Sequence, residues 1–357
     1  MPRAKIGFIL LSNSKRPIPS TRIAILNIIP HLRAAGFDTQ IAYEPEQGIE
    51  TPKLSHLMPA LISAGYDILV FQKVHGQDVE QAVELASNAG IRTLFIVCDL
   101  VDPAMAHMTD ATAVVTDYLR SLYPTDLHPK IHVVHDGIER PELHKSQYSD
   151  NRGSATRALR AILVTSADLD RLPVLESPPN WLNVDIVGRY PPIQDKRARF
   201  REDRWQFARL TGIGEKLAFL RFLTNRRIRR LPWSPAEVYE QMLLADIGII
   251  PIDTNPPHIP GHAAPSWKVK SENRLTMMMA LGLPVVATPI PSYEPVIQHG
   301  VNGFLARTRR EFLECLETLR DPVVRREVGK QARLSVLPRY SIEEQARKLI
   351  DVLASLA

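Results

Sequence analysis

Residues 268–287, KVKSENRLTMMMALGLPVVA, concentrate the side chains able to hold a phosphorylated ligand. Lys268, Lys270 and Arg274 flank Ser271, Glu272 and Asn273, and the apolar run that follows has helical length before Gly282 and Pro284 end it. A helix is therefore expected to start at the cations. The unpaired backbone N–H groups of its first turn and its dipole favour an anion there, and adjacent Lys and Arg strengthen that preference. Val285-Val286-Ala287 then reads as a short strand inside a parallel sheet. Two readings fit this segment by itself: a diphosphate-binding helix start, or an ordinary helix with a solvated basic first turn.

The elements that must position the segment are legible on both sides of it. Residues 4–11, 38–43, 67–72, 92–98, 113–115 and 131–134 read as strands, alternating with helices over 20–35, 55–64, 79–89 and 116–123. This spacing predicts right-handed βαβ units and a parallel sheet covered on both faces. The polar stretch 139–157 reads as a linker. A second alternating series follows, with strands at 161–165, 184–187, 247–251, 285–287 and around 303–305. Its helices are expected over 235–244, 309–320, 322–335 and 342–355, with a basic helical region at 196–230. The expected fold class is α/β, with two Rossmann-like doubly wound domains at 1–140 and 159–335, a linker at 141–158, and a final helix, 336–357, returning toward the first domain. Such a pair places a cleft at the carboxyl ends of its strands.

At 357 residues the chain is long for one core, and its 45% hydrophobic and 23% charged content fits a soluble globular protein. No apolar stretch reaches the roughly 18–20 residues that span a bilayer, so the cytoplasm is the default expectation. Cys98 and Cys315 are the only cysteines and lie outside any metal-ligand spacing. The net charge of +5 is modest, but KRARFREDR and NRRIRR crowd cations into residues 196–230. That patch is either a solvated helical surface or a face for acidic lipid or an anionic substrate. It contains no recognisable nucleic-acid module. Neither G-x-G-x-x-G after a first strand nor G-x-x-x-x-G-K is present, which argues against hydride transfer and P-loop phosphoryl transfer.

Taken together, ALGLPVVATPIPSYEPVIQHGVNGFLA (280–306), VVTDYLRSLYP (114–124), KIHVVHDGIERP (130–141) and EVYEQMLLADIGIIPID (237–253) resemble the retaining glycosyltransferases of the family-4 type, with the GT-B fold. The resemblance spans most of the chain and is weakest at 44–55 and 194–230. It implies a hexosyltransferase-type enzyme of polysaccharide biosynthesis that moves a sugar from a nucleotide-diphosphate donor to a glycan, lipid-linked or small acceptor. It also implies retention of configuration, no metal and no cofactor besides the donor substrate. Peripheral contact of 196–230 with the inner face of a membrane is a further expectation, with no nucleic-acid partner. Epimerisation of a nucleotide sugar on the same fold, or binding without turnover, are the alternatives.

One departure matters. Family members carry two glutamates eight positions apart around the donor, and alignment on Ala280-Leu281-Gly282-Leu283-Pro284 puts Val269 and Met277 there. The pattern instead resembles a subgroup with a K-x-x-x-N-[KR] loop, which assigns Lys268, Lys270, Ser271, Glu272, Asn273 and Arg274 to the donor, with Glu272 partly replacing the missing carboxylate. Lys270 and Arg274 suit charge stabilisation of the leaving diphosphate. Asp99 matches an acidic position at the sheet edge and is either an acceptor-orienting group or a turn cap. Ser20 and Thr21 are expected to cap a helix, with Arg22 directed at the phosphates or at solvent. Ser166, Gly188 and Arg189 are donor-side candidates at strand ends, and residues 251–254 border the base or ribose. Lys73 and His75 are acceptor-side candidates. His107 is a loop candidate, whereas His128, His132 and His135 are read as structural or surface groups. Asp168-Leu169-Asp170 is read as a turn pair rather than a metal site, and Met277-Met278-Met279 as core packing.

Overall fold

The computed structural model describes residues 3–166, 169, 171–235, 237–256 and 261–357. Its chain divides into two compact units. The first comprises Met1–Glu139, Pro257–Asn273 and Pro338–Ala357, and the second Arg140–Pro256 and Arg274–Leu337.

The first unit is built on β1 (Lys5–Ile9), β2 (Asp38–Tyr43), β3 (Ile68–Gln72), β4 (Arg92–Val97), β5 (Ala111–Val114) and β6 (Ile131–Val133). These form one parallel sheet in the order β2-β1-β3-β4-β5-β6. Alternate residues along the strands enter different cores, as the two-residue side-chain period requires. Leu69, Phe71, Phe95 and Val97 pack on one face with the helix Gln77–Asn88, while Ile68, Val70, Leu94 and Ile96 pack on the other. That second core also takes Ala346, Leu349, Val352 and Leu353 from the helix Ile342–Leu356. The chain reverses its winding direction between β1 and β3, so this unit gathers loops at the carboxyl ends of its strands.

The second unit holds β7 (Leu159–Val164), β8 (Leu182–Gly188), β9 (Ile228–Pro232), β10 (Ile247–Ile250), β11 (Val285–Ala287) and β12 (Phe304–Leu305). All pair in parallel, in the order β12-β11-β10-β7-β8-β9. The stretch 141–157 is tied down within this unit. Arg325, 1% exposed, donates to the carbonyls of Leu319, Arg320, Ser149 and Asn151, and the Tyr148 hydroxyl donates to the Gly282 carbonyl at 2.7 Å. No described helix is long and apolar enough to cross a membrane.

Local departures from the sequence expectation have physical causes. Residues 20–35 do not form one helix: Pro19–Thr21 is a single turn, Arg22–Leu26 a π turn, and the helix resumes at Ile29–Ala34 with Pro30 in its first turn. Ser20 and Thr21 cap nothing. Ile18 stands at the cap position, and the buried Thr21 hydroxyl donates instead to Gln72 Oε1 at 2.9 Å. Part of the basic region expected as helix is β9, an edge strand whose arginines point at acids: Arg229 forks onto Asp185 at 2.7 and 2.8 Å, and Arg230 onto Asp203 at 2.5 and 3.0 Å. A short helix unforeseen from sequence, Pro103–Met108, starts at the Asp102 cap.

Gly282 ends the motif helix with φ at +79°, a left-handed position suited to glycine. Across from it, a Cβ added to Gly329 would collide with the Gly282 carbonyl and lie 2.7 Å from the Tyr148 hydroxyl. Backbone cannot yield there as a flexible side chain would. Gly329→Ala is therefore expected to cost about 1–3 kcal/mol through overpacking. Gly214→Ala, whose Cβ would meet open space, is the control. Urea unfolding midpoints check this: a Gly329→Ala midpoint no lower than that of Gly214→Ala contradicts the close approach.

Candidate functional site

The carboxyl ends of β3, β4 and β6 and the loop before the motif helix bring Lys73, Asp99, His135, Asp136 and Glu272 into the first unit. Val269 anchors that loop. It is 8% exposed and belongs to the same core as Val74 and Phe95, which explains an apolar residue where the resemblance leads to the expectation of a glutamate. Three residues later, Glu272 is 1% exposed.

His135 Nδ1 lies 2.6 Å from Glu272 Oε1 and 2.8 Å from the Val115 carbonyl oxygen. One ring nitrogen carries one proton and cannot donate to both. With that proton on Val115, neither oxygen of Glu272 receives a hydrogen bond among the described residues. The imidazole itself is fixed from the C-terminal helix: Gln345 Oε1 accepts from the His135 backbone N–H at 2.9 Å, and the Tyr340 ring packs at 4.9 Å. Gly137 permits this, because a Cβ there would come within 3.0 Å of the Ile342 Cα.

The negative potential spreads to the neighbours. Burial first, then the Glu272 charge, push the Asp136 carboxyl up to about 7, against a hydrogen bond from Ser271 that favours the ionised form. The Tyr340 phenol is pushed up to about 12 by burial and then by Glu272. Lys73, in a left-handed conformation at φ +58°, places Nζ 2.8 Å from Asp99 and 3.0 Å from Glu50. Burial pulls its ammonium down, but the surrounding negative groups outweigh that and hold it above its ordinary value. Burial also holds the Cys98 thiol protonated, so the Asp99 and Glu50 carboxylates are the charges that act on Lys73. His75 Nδ1 stands 3.5 Å from Asp102 Oδ2.

The other candidates are distributed as follows. Arg22 is committed to a bidentate pair with Glu139 at 2.7 and 3.0 Å. Lys268 stacks over Trp267 at 5.3 Å, while Lys270 is exposed. Asn273 begins the helix Asn273–Ala280, and Arg274 is half-buried in its first turn. In the second unit, Ser166 and Arg189 are exposed just beyond β7 and β8, and Gly188 is buried at the end of β8. Met278 and Met279 are fully buried, Met277 only partly. Asp253 pairs with Arg171 at 3.1 Å. His107 is exposed on its short helix. Asp168 and Asp170 lie outside the described residues. Among those described, no group of three or more His, Cys, Asp or Glu side chains is disposed to hold a metal ion. The residue that sequence reasoning set aside is His135: it is buried at 7% exposure against Glu272, and a single histidine after a strand carries no local signal of that partner.

Two family models match the chain: residues 21–142 match the glycosyl transferase family 4 group and residues 215–351 a glycosyl transferase-like family. Each half thus carries a glycosyltransferase match. No curated protein matches the sequence. Among solved structures, HepE of Anabaena in complex with UDP and glucose is 14% identical with a TM-score of 0.64, covering 99% of this chain and 100% of that one. A glycosyltransferase from Rickettsia africae is 10% identical with a TM-score of 0.67, covering 99% and 98%. Sucrose-phosphate synthase from Thermosynechococcus elongatus is 13% identical with a TM-score of 0.66, covering 99% of each chain. The fold is GT-B.

The Asp136 shift fixes a pH dependence. Its folded value of about 7 stands above the ordinary 3.8, so the native state holds an extra proton between them, and stability falls as pH rises through that window. Melting temperature should decline from pH 4 toward about 7 and then level. Asp136→Asn should flatten that decline, and Glu272→Gln should move it to lower pH. Identical profiles for the wild type and Asp136→Asn contradict the assignment.

Proposed function

We propose that this chain is a hexosyltransferase that moves a sugar from a nucleotide-diphosphate donor to a glycan, lipid-linked or small acceptor, with retention and without a metal. The observation that carries the reading is the buried Glu272 carboxylate next to the first turn of the motif helix, which among the described residues has no donor but His135 Nδ1, itself shared with the Val115 carbonyl. Leaving a buried carboxylate unmet costs several kcal/mol, so the site is suited to a ligand that brings hydroxyl donors. A sugar does so. The glycosyltransferase matches in both halves and the GT-B fold support the same class, and HepE's complexes with UDP and UDP-glucose support the donor type.

In this reading Lys268, Lys270, Ser271, Asn273 and Arg274 hold the diphosphate, and Glu272 orients the sugar. Ser166, Gly188 and Arg189 serve the nucleotide. The acceptor hydroxyl attacks the anomeric carbon on the face from which the diphosphate departs, so a carbon–oxygen bond forms as the sugar–phosphate bond breaks. The electron pair leaves with the diphosphate, whose oxygen takes the acceptor proton. Lys270 and Arg274 stabilise the charge that develops there. Asp99, held by Lys73, is the acceptor-side carboxylate, with Lys73 and His75 lining that side.

Incubation with a panel of nucleotide sugars should release nucleoside diphosphate only when an acceptor is present. Sugar isomerisation without an acceptor points instead to an epimerase, and binding without turnover to a sensor. Lys270→Ala and Arg274→Ala should each weaken nucleotide binding and lower kcat by about 10²–10³-fold. Unchanged nucleotide affinity in both variants rules out the diphosphate assignment.

A further inference from the structure

Six of the fourteen large apolar side chains exposed among the described residues fall between Ile193 and Leu220, in under a tenth of the chain. They share that stretch with unpaired cations. The helix Lys196–Arg209 buries no side chain, and Lys196, Arg197, Phe200, Arg201, Arg204, Trp205 and Arg209 recur at helical spacing on its exposed face. The next helix, Ile213–Thr224, buries Phe219 and Phe222 while exposing Ile213, Leu217 and Leu220 along another stripe. Phe207 and Phe219 pack the two helices together at 6.4 Å.

The charge is one-sided. Between Lys196 and Arg230 stand twelve Lys and Arg residues against three acids. Each acid is already occupied: Asp203 by Arg230, Glu202 by Gln206, and Glu215 by the Gly212 N–H. Arg197, Arg201 and Arg204 enter no ion pair among the described residues, and Arg209 stacks over Trp205 at 4.3 Å. A solvated surface would need the cations but not six exposed apolar side chains.

We propose that this face docks on a bilayer containing anionic lipid. Arginine guanidinium groups meet lipid phosphates, Trp205 and Phe200 take the interfacial level, and the aliphatic stripe Ile213, Leu217 and Leu220 enters the acyl boundary. A second copy of this chain is disfavoured as the occupant, because a symmetric contact would set like charges against each other. Nucleic acid would use the arginines and stack on the aromatics, yet gives the aliphatic stripe no partner.

The test is co-sedimentation of the full chain with vesicles of phosphatidylcholine alone and with about a third phosphatidylglycerol, both at low salt. The wild type is expected to bind only the anionic vesicles and to be released by salt, with Trp205 fluorescence shifting blue on binding. Arg197→Glu/Arg201→Glu/Arg204→Glu and, separately, Phe200→Ser/Trp205→Ser/Leu217→Ser should each lower partitioning by about tenfold or more. All of these positions are exposed, and the single variant Trp205→Ala, weaker in effect, guards against misfolding of the multiple ones. Three results overturn the proposal: no partitioning of the wild type to anionic vesicles, partitioning of both multiple variants equal to that of the wild type, or retention by a single-stranded RNA oligomer without any vesicle binding.

Discussion

A carboxylate removed from water must be met by donors or by a counter-charge, and the surroundings of Glu272 are arranged around that requirement. Val269 roots the loop in the core of the first unit, so the backbone delivers Glu272 inward three residues later. His135 approaches to 2.6 Å but has Val115 as a competing acceptor. Gln345 and Tyr340 hold that histidine, and Gly137 leaves the space for Ile342 to come close. Burial first, and then the same buried charge, raise the Asp136 and Tyr340 groups. In the proposed function, the hydroxyls of a sugar meet this acceptor capacity.

The cations divide into two kinds. Arg22 and Lys73 are held by carboxylates, Arg22 in a bidentate pair with Glu139 and Lys73 between Asp99 and Glu50. Lys270 and Arg189 are exposed, and Arg274 sits in a helix first turn where backbone N–H groups already favour an anion. This division follows from where the carboxylates lie.

Most of the sheet was legible in the sequence because parallel strands buried on both faces must be continuous apolar runs, as ILVFQ in β3 and RTLFIV in β4 are. Strand β9 was not, since an edge strand tolerates arginines whose acidic partners lie far along the chain. The break within 20–35 was missed because its cause is the tertiary bond from Thr21 to Gln72 as well as Pro30. For the site, the run Lys270-Ser271-Glu272-Asn273-Arg274 before an apolar helix made Glu272 legible as a candidate. The role of His135 was hidden, because its proximity to Glu272 joins positions 137 residues apart and leaves no trace in local spacing.

What meets the Glu272 carboxylate when donor is bound decides its role. A crystal structure of the chain with a nucleotide-diphosphate sugar is the most direct measurement. A sugar hydroxyl within hydrogen-bond distance of a Glu272 oxygen is the predicted result, with the diphosphate at the first turn of Asn273–Ala280. A bound nucleotide sugar that leaves Glu272 untouched, with its diphosphate elsewhere, would contradict it.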